Sequence, residues 1–433
     1  MTTSPSSHHV LPAGATQLQL EQSVADNHQE LFCLGATALA GEIKTINDIT
    51  CTYAGADIEA MICFPGAGIA DNSLPLDEMM TYYQSHPPHS IRYWSLAAAT
   101  TPLLNARLLA RGFKPSWPPY WMALDLATIN DQHSLPEDIQ IKVADNPEHL
   151  RIKDLPYSDG NSTIPETLRV KFPERTQRFI AVRKEKIIGH SEVFFTTGEY
   201  GNAGIYNVGV IPTERGKGVG RAVVIAACKF ARQHGYNYAV LNATGQRMYE
   251  QIGFRWIGSG ATWHIGNFTT SDLPAAGDPR IHWAEAVGTG NLPALKELYR
   301  QSPSAIDTPV ANGMTLIQLA AHCGQAHTAE WLIEHGARYN VLDVWDLNMK
   351  DKAAALLHSE PERVNTLYDD WLQITLLHIA AERNDTALAQ LALSAHPDLS
   401  IRDKFYKSTP LDWAGHFDRR EIIQLIKKYA SGK

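Results

Sequence analysis

The chain has 433 residues, 44% of them hydrophobic and 19% charged, with a formal net charge of −8. That length calls for more than one core, and the composition is that of a globular protein. A negative total argues against a general nucleic-acid binder, although a local basic site survives in an acidic chain.

Residues 1–16 are expected to be a disordered tail: Ser, Thr, Pro and His are present, without the basic start of a signal peptide. No stretch approaches the ~20 apolar residues needed to span a bilayer, so the expected location is cytoplasmic. Cys33, Cys51, Cys63, Cys228 and Cys323 are scattered and lack C-x-x-C spacing. They are expected to be reduced core residues, neither a disulfide frame nor a zinc site. The eighteen histidines show no H-x-x-x-H helix, and no metal is expected.

Residues 17–130 alternate short apolar segments with turns, as in an α/β unit. Its end reads as a strand at 91–96, a helix at 103–110, Arg111-Gly112-Phe113, then a strand at 120–126. Residues 127–138 form a linker. From Ile139 the chain reads as a strand (139–143), a polar helical region from Pro147 to about Leu168, and a strand (178–183). Lys184-Glu185-Lys186 makes a turn, a strand at 187–195 returns, and a loop leads into the β-branched run 205–211.

Pro212 ends that run, because it has no N–H to donate to a ladder. Then comes Arg215-Gly216-Lys217-Gly218-Val219-Gly220-Arg221, followed by Val223, Ala227, Phe230 and Ala231 at helical spacing. Gly235 stands where a left-handed cap is expected. Strand, glycine-rich loop and helix in that order suit phosphate. The glycines let N–H groups converge on an anion, and the helix start adds partial positive charge. A P-loop would need Ser or Thr after Gly-Lys, and a dinucleotide fingerprint would need Gly or Ala where Val223 stands.

What fits is Arg-x-x-Gly-x-Gly, at Arg215, Gly218 and Gly220. A second strand (238–242) and Tyr249-Glu250-Gln251-Ile252-Gly253-Phe254 follow it. Together these resemble the acetyl-CoA loop and closing signature of the GNAT acyltransferase superfamily. The resemblance implies a mixed α/β (α+β) sheet with flanking helices. It implies acetyl-CoA as co-substrate, with no metal, and direct acyl transfer to an amine. Backbone groups of Val208, Gly209 and Val210 are expected to meet the thioester and pantetheine arm. Those of Gly216, Lys217, Gly218, Val219, Gly220 and Arg221 hold the pyrophosphate, with Arg215 adding charge. Asn242 is placed for the pantetheine amides, Tyr249 as the general acid that protonates the leaving thiolate, and Glu192 as the base.

Gly253-Phe254 lies 141 residues after Gly112-Phe113, and each follows a strand and a helix. The expectation is two tandem lobes: 17–130, and the catalytic domain 137–268. In the first copy the matching loop, Pro65-Gly66-Ala67-Gly68, has Pro where Arg is wanted and Asp71, Asp77 and Glu78 beyond it. That copy reads as degenerate, walling the substrate cleft.

Residues 269–279 form a second linker, and 280–433 read as helical repeats. Thr315-Leu316-Ile317-Gln318-Leu319-Ala320, Thr375-Leu376-Leu377-His378-Ile379-Ala380 and Thr409-Pro410-Leu411-Asp412-Trp413-Ala414 resemble the ankyrin signature. A shortened repeat is expected around 346–365 and an atypical first one at 281–307. The resemblance implies an all-α solenoid that binds a protein partner. A rival reading keeps that array as an interaction scaffold beside a CoA-binding but inert acyltransferase module. Neither nucleic acid nor a membrane is expected as a partner.

Overall fold

The β-branched and aromatic runs all become strands in the computed structural model. It describes residues 9–66, 74–99, 101–158, 162–243, 246–266, 274–275, 277–368 and 372–432. The chain divides into two units: residues 1–104 with 112–276, and residues 105–111 with 277–433.

The first unit opens with α1 (Gln17–Ala38), β1 (Glu42–Ile46), β2 (Ile49–Tyr53), β3 (Glu59–Cys63), α2 (Leu74–Ser85) and β4 (Ser90–Leu96). Then come α3 (Pro102–Ala110), most of which falls in the second unit, β5 (Lys114–Pro115) and β6 (Tyr120–Asp125). The second copy contributes β7 (Ile139–Ala144), α4 (Glu166–Lys171), β8 (Thr176–Arg183), β9 (Lys186–Phe195) and β10 (Ala203–Val210). It closes with α5 (Val219–Gln233), β11 (Tyr238–Asn242), α6 (Gln246–Ile252) and β12 (Arg255–Ile265).

The two copies exchange their last strands. The sheet order is β1-β2-β3-β4-β12-β6-β11-β10-β9-β8-β7, with β5 beside β12. Thus β6, the last strand of the first copy, pairs antiparallel with β11 of the second, Trp121 lying opposite Asn242. In return, residues 260–265 of β12 pair with β4 of the first. The exchange joins both copies into one continuous sheet and removes the edge that each would otherwise expose. Helix α1, capped by a reciprocal Thr16–Gln19 box, crosses one face of this sheet. Its Leu20 and Val24 pack on Trp121, Val240 and Ile257, and its Leu31 packs on Phe194 and Tyr206. On the other face α5 buries Val224, Ala227 and Ala231 against Ile205, Ala239 and Leu241.

Three expectations need correction. Residues 9–16 are not a free tail: Leu11 is fully buried, its N–H donating to Gly201 O. Among its described residues, the polar stretch from Pro147 is helical only from Glu166, in Glu166–Lys171. Pro156 and the left-handed Arg151, Asp154 and Tyr157 break it earlier. Finally, residues 105–111, read as the first lobe's helix, cluster with the second unit, where Arg111 pairs with Glu285 at 2.7 Å.

The second unit stacks helix pairs: α7 (Pro279–Gly288) with α8 (Leu292–Gln301), α9 (Leu316–His322) with α10 (Ala326–Glu334), and α11 (Val341–Asp346) with α12 (Lys350–Ser359). The last pairs are α13 (Leu376–Arg383) with α14 (Thr386–Ser394) and α15 (Pro410–His416) with α16 (Arg420–Ser431). The signature threonines act as caps: Thr315 pairs reciprocally with Gln318, Thr375 with His378 and Thr409 with Asp412. His378 also reaches Ser408 O at 3.1 Å, tying one repeat to the next.

Candidate acyl-transfer site

The site begins where two parallel strands part. β10 and β11 pair only at Ala203–Gly204 and Ala239–Val240. Past that point β10 stays with β9 and breaks register between Tyr206 and Gly209. The break centres on Asn207, whose φ of +51° is left-handed. It is held there from the side: Thr163 N–H donates to its Oδ1 at 2.9 Å, and its Nδ2 donates to Ser162 Oγ at 2.8 Å. The backbone of Val208, Gly209 and Val210 therefore lines an opening towards β11. In the first copy the equivalent strands, β3 and β4, pair along the whole of Glu59–Cys63, leaving no such opening. The glycine segment after β3 lies outside the described residues from position 67.

The loop at the start of α5 has the conformation that its glycines permit. Gly216 and Gly218 have φ of +76° and +83°, and Gly218 is the N-cap of α5. Nothing lies within 4 Å of a Cβ built on Gly216, whereas one on Gly218 would meet Ser134 O at 3.2 Å. A cavity of about 850 Å³ opens here, lined by the whole of Glu214–Arg221 with His133–Pro136, Met248 and Gln251. Val219 is buried, so only its main chain can serve a ligand. The cations are only loosely engaged. Lys217 Nζ lies 3.2 Å from Glu214, which also pairs with Arg183. Arg215 Nε donates to Val210 O at 3.2 Å, and Arg221 Nη2 to Gln251 O at 3.0 Å. Open amides, a helix N-terminus and three cations fit a diphosphate.

Tyr249 sits on α6, whose Met248 and Gln251 line that cavity. Burial pushes its phenol well above the usual value, with Tyr157 adding to the rise, so the hydroxyl keeps its proton. Gly245 lies outside the described residues, and Gln246 opens the helix. Asn242 Oδ1 is occupied by Tyr120 N–H at 2.9 Å, leaving its amide nitrogen as the group to offer a ligand.

Glu192 is the expectation that fails. Its side chain is 1% exposed and lies between Arg178 Nε at 3.0 Å and Arg169 Nη1 at 3.2 Å. A carboxylate shut from solvent and bonded to two guanidiniums has no free face to meet an ammonium. Glu192 clamps the architecture instead: Arg169 also donates to Pro147 O and Ile164 O, and Arg178 to Glu148 O. The ion triad thereby pins the described parts of this irregular stretch, 146–158 and 162–164, over the opening. Sequence reading gave no site role to this segment, read as a polar helix, or to the cavity-lining residues His133–Pro136, read as linker. Both are irregular and far from the motif in sequence, so no periodicity marks them.

Residues 146–254 match the Acetyltransferase (GNAT) family model, and residues 312–344 match that of the ankyrin repeat. No curated protein matches the chain. Similar solved structures include a GCN5-related N-acetyltransferase from Kribbella flavida, at 13% identity over 57% of this chain and 98% of that one, with a TM-score of 0.42. A second, from Sphaerobacter thermophilus, shares 16% identity over 51% of this chain and 79% of its own, with a TM-score of 0.38. A tandem GNAT protein from the clavulanic acid biosynthesis pathway shows 16% identity over 51% and 79%, with a TM-score of 0.39.

Proposed function

We propose that this chain, with a GNAT acetyltransferase domain at 146–254 and an ankyrin repeat at 312–344, transfers an acetyl group from acetyl-CoA directly to an amine. The observation that carries the reading is the parting of β10 from β11 beside a left-handed glycine loop that opens a helix. Acetyl-CoA supplies the thioester and the phosphates. The chain supplies placement and one proton. Main-chain N–H groups from Gly216 to Arg221, with Arg215 and Lys217, hold the diphosphate. The edge of Val208–Val210 and the Asn242 amide align the arm, so that the amine meets a fixed carbonyl. As the N–C bond forms and the C–S bond breaks, the Tyr249 hydroxyl gives its proton to the sulfur and regains one from solvent. The proton of the amine leaves to water. The catalytic domain is taken as residues 137–268, and the repeats from 280 onward as the part that engages a protein partner.

Calorimetric titration with acetyl-CoA, and free-thiol release with an amine panel, test this on wild type and Gly218→Glu. The substitution places a side chain and a negative charge in the cradle, and binding is expected to vanish. Unchanged affinity would remove the loop from the site. Binding without thiol release from any amine would leave the scaffold reading.

A further inference from the structure

The segment pinned over the opening carries a second phenol, Tyr157. Residues 151–158 fold back on themselves: Arg151 N–H donates to Ser158 O at 2.8 Å, and Ser158 Oγ donates to Ile152 O at 2.9 Å. Leu155 is buried and anchors the turn. Arg151, Asp154 and Tyr157 are all left-handed, with φ of +49°, +62° and +60°. For a side chain as bulky as tyrosine that conformation is costly, and it persists only where surrounding contacts enforce it.

The enforcing contact sits on the opening itself. Pro156 O lies 2.6 Å from His190 Nε2, and since a carbonyl only accepts, that nitrogen carries the proton. His190 stands on β9 opposite Gly209 of β10. A Cβ built on Gly209 would lie 2.7 Å from Pro156 O and 3.1 Å from His190 Nε2, so the missing side chain is what lets the segment reach the strand. Tyr157 thus follows directly on a contact with the parted strand. Tyr249 reaches the same strand from the α5 side, in one cluster with Val208 and Leu241. The two phenols approach each other there: after burial, Tyr157 is the next cause of the rise in the Tyr249 phenol. Their access to water differs. Tyr249 is 5% exposed and Tyr157 38%, and residues 151–157 line a cavity of about 620 Å³ that admits water beside Tyr157.

We propose that Tyr157 is the proton relay of this site, a positioning residue that connects the buried Tyr249 hydroxyl to solvent. The inference rests on the acyl-transfer reading. As the C–S bond breaks, the sulfur takes the Tyr249 proton. The phenolate left behind takes the hydroxyl proton of Tyr157, and Tyr157 takes one from water, to which the amine has given up its own. Both phenols end as they began, and one proton has moved from nitrogen to sulfur. The exchange is between two groups of one kind, so it needs no stronger acid. A buried phenolate is costly, and a donor beside it lowers the barrier to forming one.

The test compares wild type with Tyr157→Phe, Tyr249→Phe and the double variant. Steady-state thiol release is followed with an amine that wild type accepts, and acetyl-CoA affinity by calorimetry. Tyr157→Phe keeps the ring and alters an exposed position, so stability should change little. Its kcat is expected to fall about tenfold, less than the ~10²-fold loss of the acid itself, with Kd and KM for acetyl-CoA held within about twofold. The double variant is expected to be no slower than Tyr249→Phe, because a relay without its acid has nothing to serve. An unchanged kcat in Tyr157→Phe, a loss carried by KM alone, or losses that multiply in the double variant would overturn the relay while acyl transfer stands. Wild type that binds acetyl-CoA but releases no thiol with any amine would remove the acyl-transfer reading, and the relay with it.

Discussion

Replacing Glu192 with Gln separates a structural role from a chemical one. The carboxylate bridges two guanidiniums at 3.0 and 3.2 Å, with Arg169 and Arg178 each 4% exposed. Glutamine keeps the shape but turns an amide N–H₂ towards one guanidinium and leaves net positive charge in the interior. Breaking a buried pair by removing one partner costs about 3–5 kcal/mol, because the remaining charge stays desolvated. For a domain of this size, each kcal/mol moves Tm by roughly 2–4 °C, so a loss of about 6–20 °C is expected. Thermal unfolding at neutral pH followed by far-UV circular dichroism measures it. Arg169→Met with Glu192→Leu, which removes charge from both sides, should lose less than Glu192→Gln alone. A Glu192→Gln chain that is as stable as wild type but has lost its turnover would refute the clamp and restore the residue as a base.

Tyr249→Phe is expected to retain acetyl-CoA affinity and to lower turnover about 10²-fold or more, the usual share of a positioned acid; unchanged steady-state rates would remove it. Since burial raises the phenol, the wild-type rate should show no fall near pH 10 from its ionisation. Asp343, buried in the capping box of α11, has its carboxyl raised from 3.8 to about 6. The protonated form is the one that folding favours, so its contribution is complete below 3.8 and lost as pH rises through 6. Asp343→Asn should therefore raise Tm at pH 7.5 and change little at pH 4, as calorimetry would show; equal effects at both pH values would refute it. Stopping the chain at residue 278 strips buried Arg111 of Glu285, and the product should be poorly soluble by size-exclusion chromatography; a monodisperse product would contradict this.

Much of the glycine-rich loop's conformation was legible because its cues are local. Glycines that need left-handed φ, a β-branched strand before them and an apolar helical stripe after them all fall within thirty residues, and Gly216, Gly218 and Gly235 do have positive φ. The helix starts of the repeats were legible for the same reason, each threonine bonding three residues ahead. The strand exchange was not. β6 and β12 carry the same pattern whether they return to their own copy or cross to the other, since alternation records a buried face and not a neighbour. Glu192 was misread on that account too: a charge on an apolar strand signals something, but its partners Arg169 and Arg178 lie on a short helix and another strand. The aromatic cluster of His28, Phe32, Phe64, Trp94, Trp121 and Tyr206 draws on α1, the residue after β3, β4, β6 and β10, and of its members only His28 and Phe32 lie close in sequence.

The crossing of terminal strands also bears on synthesis. Strand β6 is complete at Asp125, yet its neighbours β11 and β12 end only at Asn242 and Ile265. At ribosomal speeds of about 5–20 residues per second, the first copy waits roughly 7–28 s with open hydrogen-bonding edges before its missing strand emerges. The nascent first half is thus a client for chaperones or for a neighbouring ribosome's product, and pairing in trans between two polypeptides is the misassembly to look for when expression is fast.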